Sequence, residues 1–101
     1  MSYGIVVSQA ARRQLDSLFD YIAAEGSRDA ALRFTQAIVD QIDKLADFPN
    51  RGVLRDDILP GLRTIGFRRR VTIAFVVEER AVMVLGIFYG GQDFETLLHD
   101  D

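Results

Sequence analysis

Val71-Thr72-Ile73-Ala74-Phe75-Val76-Val77, then Glu78-Glu79-Arg80, then Ala81-Val82-Met83-Val84-Leu85-Gly86-Ile87-Phe88-Tyr89 is the stretch that decides the fold. The two long runs are rich in β-branched and aromatic residues and read as strands. The charged triplet between them reads as a hairpin turn. Successive strand residues point to opposite faces, so Val71, Ile73, Phe75 and Val77 fall on one face and Ala74 and Val76 on the other. Both faces are therefore apolar. A sheet with one wet face should alternate apolar with polar residues, so the second face is expected to lie under the C-terminal tail or a partner.

Upstream of this hairpin, Leu62 to Phe67 reads as a further strand, and Arg68-Arg69-Arg70 lies at or beside the turn that follows it. Pro60-Gly61 and Phe48-Pro49-Asn50-Arg51-Gly52 are turn signals that bound an irregular stretch. Before them the period changes to that of helices. Ala11, Leu15, Leu18, Phe19 and Ile22 make one apolar stripe over Gln9 to Glu25, and Ala31, Phe34, Ile38, Ile42 and Leu45 make another over Arg28 to Asp47. Ser8 and Ser27 stand as N-caps, Asp29 suits the first turn of the second helix, and Gly26 stops the first. The tight Gly-Ser joint predicts an antiparallel αα-hairpin. Tyr3 to Val7 is a short leading strand, Gly90-Gly91 ends the last strand, and Gln92 to Asp101 has material for one or two helix turns. The order β-α-α-β-β-β-(α) predicts an α+β fold, residues 1–101 forming one domain: an antiparallel sheet with the helical hairpin on one face.

The 101 residues, 49% apolar and 27% charged, suffice for one modest core, with about 65% of the unfolded surface buried. The absence of cysteine excludes disulfides, zinc-thiolate sites and thiol nucleophiles. His99 is the single histidine, so a His-rich metal site is excluded, and a Ser-His-Asp triad would have to run through a tail residue that reads as solvated. Asp56-Asp57 reads as a solvated pair, or one matched by Arg51 and Arg55, and not as a divalent-metal site. No Walker or Rossmann glycine pattern occurs. Neither a metal nor another cofactor is expected. MSYGIVVSQAARR lacks the basic and long apolar regions of a secretory signal, and no apolar run approaches the ~20 residues of a membrane span, so the expected location is cytoplasmic without a membrane partner.

The formal charge of −3 is unevenly placed. Residues 51–70 hold six arginines against two aspartates, a net of +4, so the other 81 residues carry −7. An acidic total speaks against general nucleic-acid binding, whereas a local arginine block suits docking to carboxylates or phosphates. Arg63, Arg68, Arg69 and Arg70 are thus candidates for contact with a target or a phosphate, and Tyr89 could stack or donate its hydroxyl beside them. The plain structural alternatives are a charged strand edge that resists aggregation and an amphipathic rim aromatic. On the first helix, Arg12 and Arg13 stand near Asp16 and Asp20 at spacings suited to weak surface pairs.

Taken in order, Leu45-Ala46-Asp47-Phe48-Pro49-Asn50-Arg51-Gly52, Pro60-Gly61-Leu62-Arg63, Arg70-Val71-Thr72-Ile73-Ala74-Phe75 and Leu85-Gly86-Ile87-Phe88-Tyr89-Gly90-Gly91-Gln92-Asp93 resemble the RelE/ParE superfamily of toxins, the ParE branch most. The resemblance spans nearly the whole chain. It implies the toxin half of a bacterial type II toxin-antitoxin pair of the plasmid-stabilisation kind, neutralised by a ParD-like antitoxin whose C-terminal segment wraps the hairpin and sheet. DNA would be reached only through that antitoxin. Arg55, Ala74, Val76 and Phe88 are the candidate antitoxin contacts, the doubly apolar strands being what such a segment would cover. ParE-type toxins are associated with poisoning DNA gyrase, RelE-type toxins with cutting messenger RNA at the ribosome. The RelE-like catalytic set is largely missing here. Arg63 falls where one of its lysines sits, but Ile65 falls at the next, Thr72 and Gln92 replace two arginines, and Leu98 stands near the tail tyrosine. The resemblance therefore implies action by binding, with an mRNA endoribonuclease and a degenerate, non-toxic interaction module as the alternatives.

Overall fold

Ser8 ends the first strand and starts the first helix with one side chain. Its Oγ accepts the amide of Ala11 at 3.0 Å, capping α1 (Gln9–Glu25), and donates to the carbonyl of Leu85 at 3.2 Å, fixing that helix to the sheet. The computed structural model describes residues 2–90. Ser27 repeats the capping at α2 (Arg28–Asp43), where Oγ accepts the amide of Ala30 at 3.0 Å. A 3₁₀ turn, Lys44–Ala46, tightens the end of α2, so the helical segment expected to reach Asp47 stops one residue short and in a narrower winding.

Among the described residues five strands form one sheet: β1 (Gly4–Val7), β2 (Val53–Leu54), β3 (Arg63–Phe67), β4 (Val71–Glu78) and β5 (Ala81–Tyr89), in the spatial order β1-β5-β4-β3-β2. The β4–β5 hairpin has the expected limits to within one residue. Two features depart from the expected antiparallel four. The stretch read as irregular contributes β2, a two-residue edge strand paired with β3. β1 lies parallel to β5, Gly4 opposite Ala81 through Val7 opposite Val84. Short links force antiparallel pairing between sequence neighbours, but β1 is joined to its partner by most of the chain and is free of that constraint.

The helical hairpin packs on one face of the sheet. The core there joins Ala11, Leu18, Ile38, Ile42 and Leu45 to Val71, Ile73, Phe75, Val82, Val84 and Ile87. Val82 and Val84 fall on even positions and Ile87 on an odd one, and a β-bulge reconciles them: Ala74 pairs with Gly86 and Phe75 with Val84, leaving Leu85 as the extra residue. Gly86 is required beside the bulge because a Cβ there would meet the Phe88 ring.

The second face is covered by the chain between β2 and β3. Ile58 and Leu62 pack on Ala74 and Phe88, with Leu59, Val76 and Leu85 around them. The tail or partner expected to provide this cover is not needed for those residues, since a loop without periodicity supplies it. The tail itself, residues 91–101, lies outside the described residues. No helix among the described residues is long and apolar enough to cross a membrane.

Candidate functional site

The arginine run forms the β3–β4 turn. The Arg70 amide donates to the Phe67 carbonyl at 3.1 Å, and Arg68 and Arg69 between them have φ of 50° and 59°. Positive φ at both central residues is the requirement of a type I′ hairpin turn, which normally recruits Asn-Gly. Two arginines in that region cost about 1 kcal/mol or more each. Arg68 recovers part of this by stacking, its guanidinium lying 4.9 Å from the Phe67 ring centroid and 5.8 Å from that of Phe34. The two rings meet edge to face at 5.8 Å, which ties the turn to α2. Arg69 and Arg70 are exposed and make no ion pair among the described residues.

Tyr89 is brought to this end of the sheet by register, lying opposite Val71, while the Gly90 amide donates to the Arg70 carbonyl at 2.7 Å. Its ring faces the helical layer and packs at 5.7 Å against Tyr21 of α1. The two tyrosines, with Arg13, Gln14, Ser17, Leu18 and Ile87, line an open cavity of about 390 Å³. Gln14 has a structural task in it: Oε1 accepts the Ile87 amide at 2.7 Å, beyond the point where β1 stops pairing with β5. Among the described residues the helix-surface pairs expected of Arg12 and Arg13 do not form. Arg12 Nε donates weakly to the Val7 carbonyl at 3.4 Å, and Arg13 borders the cavity.

The remaining predicted residues lie elsewhere. Arg63 sits opposite Phe75, four residues along the sheet from the Val71–Tyr89 pair or ~13 Å at strand rise. Its Nη1 donates to the Asn50 carbonyl at 3.4 Å. The sequence-contiguous arginine block is thus divided along the length of β3. Arg55 makes a bidentate pair with Asp57, Nε to Oδ1 at 2.9 Å and Nη2 to Oδ2 at 2.8 Å. Asp56 Oδ1 accepts the Gly61 amide at 2.7 Å, so the two neighbouring carboxylates serve different loop contacts. Arg51 reaches neither; its guanidinium lies 6.0 Å from the centroid of Phe48. Ala74 and Phe88 are buried under Ile58 and Leu62, whereas Val76 is only partly covered. Gln92, Leu98 and His99 lie outside the described residues.

Sequence reasoning missed Phe34, Phe67, Tyr21 and Gln14. Phe34 was legible only as a stripe residue and Phe67 only as a strand residue, while Tyr21 and Gln14 lie on the first helix outside its apolar stripe; which partner each meets depends on how the hairpin lies on the sheet. Chemically, the β3–β4 end offers exposed guanidinium groups beside a polar-rimmed aromatic groove. Among the described residues no group of three or more His, Cys, Asp or Glu gathers in a way that could hold a metal ion.

A family model for the ParE toxin of the type II toxin-antitoxin system parDE matches residues 5–94. A chain of the chromosomal ParDE toxin-antitoxin system from P. aeruginosa superposes with a TM-score of 0.77 at 26% identity, covering 88% of this chain and 97% of that one. A chain of the RelBE2 toxin-antitoxin complex from Mycobacterium tuberculosis is similar in fold, with a TM-score of 0.63 at 18% identity over 88% of this chain and 99% of that one. No curated protein matches the chain in sequence at a significant level.

Proposed function

Because the chain belongs to the ParE toxin family of type II toxin-antitoxin systems, we propose that its antitoxin is ParD-like and its cellular target is DNA gyrase, engaged in the cytoplasm by binding and not by turnover. The observation that carries the reading is the family match over residues 5–94, most of the chain. The arrangement of charge supports the binding mode. Phosphoryl chemistry on RNA would need Arg63 to converge with Arg69 and Tyr89, and Arg63 lies ~13 Å along the sheet from the end that Arg69 and Tyr89 share. Arg68, Arg69, Arg70 and Tyr89 form the target-contact end, with Arg63 as an outlying contact. On the second face, Arg55 and Val76 are the accessible antitoxin contacts. Ala74 and Phe88 join them only when the loop over residues 55–62 is displaced. DNA is reached through the antitoxin, in a pair of the plasmid-stabilisation kind.

The test is tightly controlled expression of the full chain without its antitoxin. Gyrase-dependent DNA breaks with intact transcripts are expected. Rapid transcript loss, with RNA cleavage by the purified chain, overturns the reading in favour of an endoribonuclease, and an absence of any growth effect overturns it in favour of a non-toxic interaction module. Substituting Arg68, Arg69 and Arg70 together by serine is expected to lower toxicity at least tenfold, scored as surviving colonies, with the fold intact by circular dichroism.

A further inference from the structure

The β3–β4 turn breaks the usual rule for its conformation twice in succession. Positions 68 and 69 both have positive φ, where Asn-Gly relieves strain and arginine does not. Departures of this kind persist where the surroundings hold them for a purpose other than stability. Here the surroundings are specific. Arg68 is pinned across Phe67 and Phe34, and the next two guanidinium groups project from an exposed tip without a carboxylate partner among the described residues. We propose that this turn is a recognition tip for a short acidic segment of a protein, with Arg69 and Arg70 held out by the strained backbone for paired contacts to carboxylates. The inference rests on the reading of this end as the target-contact surface and names the chemistry of the partner.

Three observations favour an acidic peptide over a nucleic acid. Only three arginines stand at the tip, whereas duplex-binding surfaces commonly neutralise about 6–10 phosphates. The chain outside residues 51–70 carries −7, which repels a long polyanion but leaves a two- or three-carboxylate segment free to approach a projecting turn. The rings directly at the turn, Phe67 and Phe34, meet edge to face beneath the Arg68 guanidinium, which leaves a base less ring surface there to stack on. The planar fork of arginine suits bidentate carboxylate contacts better than lysine would.

The experiment titrates the isotope-labelled full chain with hexaglutamate, and separately with a single-stranded octanucleotide RNA, at low ionic strength. Amide and arginine side-chain shifts confined to residues 67–71 are expected with hexaglutamate. R69G should weaken that binding about two- to fivefold while raising Tm by roughly 4 °C or more, since glycine accepts positive φ freely. R69N, which also tolerates this conformation, provides the same comparison should R69G fold poorly. R69K should leave Tm unchanged within a degree and bind between wild type and R69G, since lysine keeps the charge and loses the planar fork. Shifts scattered over the surface, unchanged binding in R69G, or no gain in Tm in R69G and R69N overturn the proposal. RNA binding tighter than hexaglutamate at the same residues overturns it in favour of a nucleic acid. Wild-type peptide binding by R69G alongside lost toxicity in the triple serine variant rejects the acidic-segment inference and leaves the target-contact reading standing. Localised peptide binding alongside full toxicity of the triple variant rejects the target-contact reading on which the proposal rests.

Discussion

Gln14 shows how one side chain lets a helix close over a sheet. The Ile87 amide lies past the end of β1 and has no strand partner on that side, yet Ile87 is only 2% exposed. Gln14 Oε1 supplies the acceptor from the second turn of α1. A buried amide left without a partner costs about 1–3 kcal/mol, so Gln14→Ala is expected to lower stability by about that amount, measured as a drop in the urea midpoint at unchanged m. Gln14→Glu keeps an acceptor and should lose less. An unaltered midpoint in the alanine variant would mean that water replaces the side chain without loss. Nothing in the sequence marked this residue, because its neighbour in space lies 73 positions away. Ser8 and Ser27, by contrast, were legible from local chemistry alone, since an N-cap hydroxyl answers to amides within three residues.

Among the elements, the loop over residues 55–62 was the least legible and has the largest consequence. It carries no helical or strand period. The Arg55–Asp57 pair and the Asp56–Gly61 contact give it a defined shape, and Ile58 and Leu62 then cover Ala74 and Phe88. The doubly apolar strands correctly announced a covered second face and could not say what covers it, because apolar burial is non-directional and any apolar segment that reaches will serve. Replacing Ile58 with serine is expected to destabilise the chain by roughly 2–4 kcal/mol and to raise binding of an apolar fluorescent dye. If neither changes, the loop merely lies on the surface. The bulge at Leu85 has the same status: strand content was plain from β-branched residues, whereas the shift from Val84 to Ile87 on one face follows only from packing against α1.

Over the whole molecule, topology sorts the charges. β4 separates the arginine turn at one end from Glu78 and Glu79 at the other by eight residues, about 26 Å at strand rise. The affinity lost by the triple serine variant of Arg68, Arg69 and Arg70 toward an acidic partner should therefore shrink as salt rises, read by calorimetric titration at two ionic strengths. An equal loss at both would assign the effect to packing. The block of +4 within residues 51–70 is a property of sequence, but it is not one surface, since Arg63 lies ~13 Å from the Val71–Tyr89 end and Arg55 is engaged with Asp57. Sequence alone determined the helical hairpin, the central strand pair, the caps and the family resemblance, because periodicity and capping act over a few residues. Tertiary structure alone decided the parallel placement of β1, the cover of the second face, the pairing of Tyr89 with Tyr21 and the positive φ of the arginine turn. Each of those depends on groups remote in sequence whose meeting is set by how apolar faces pack, and no local preference of the chain specifies that.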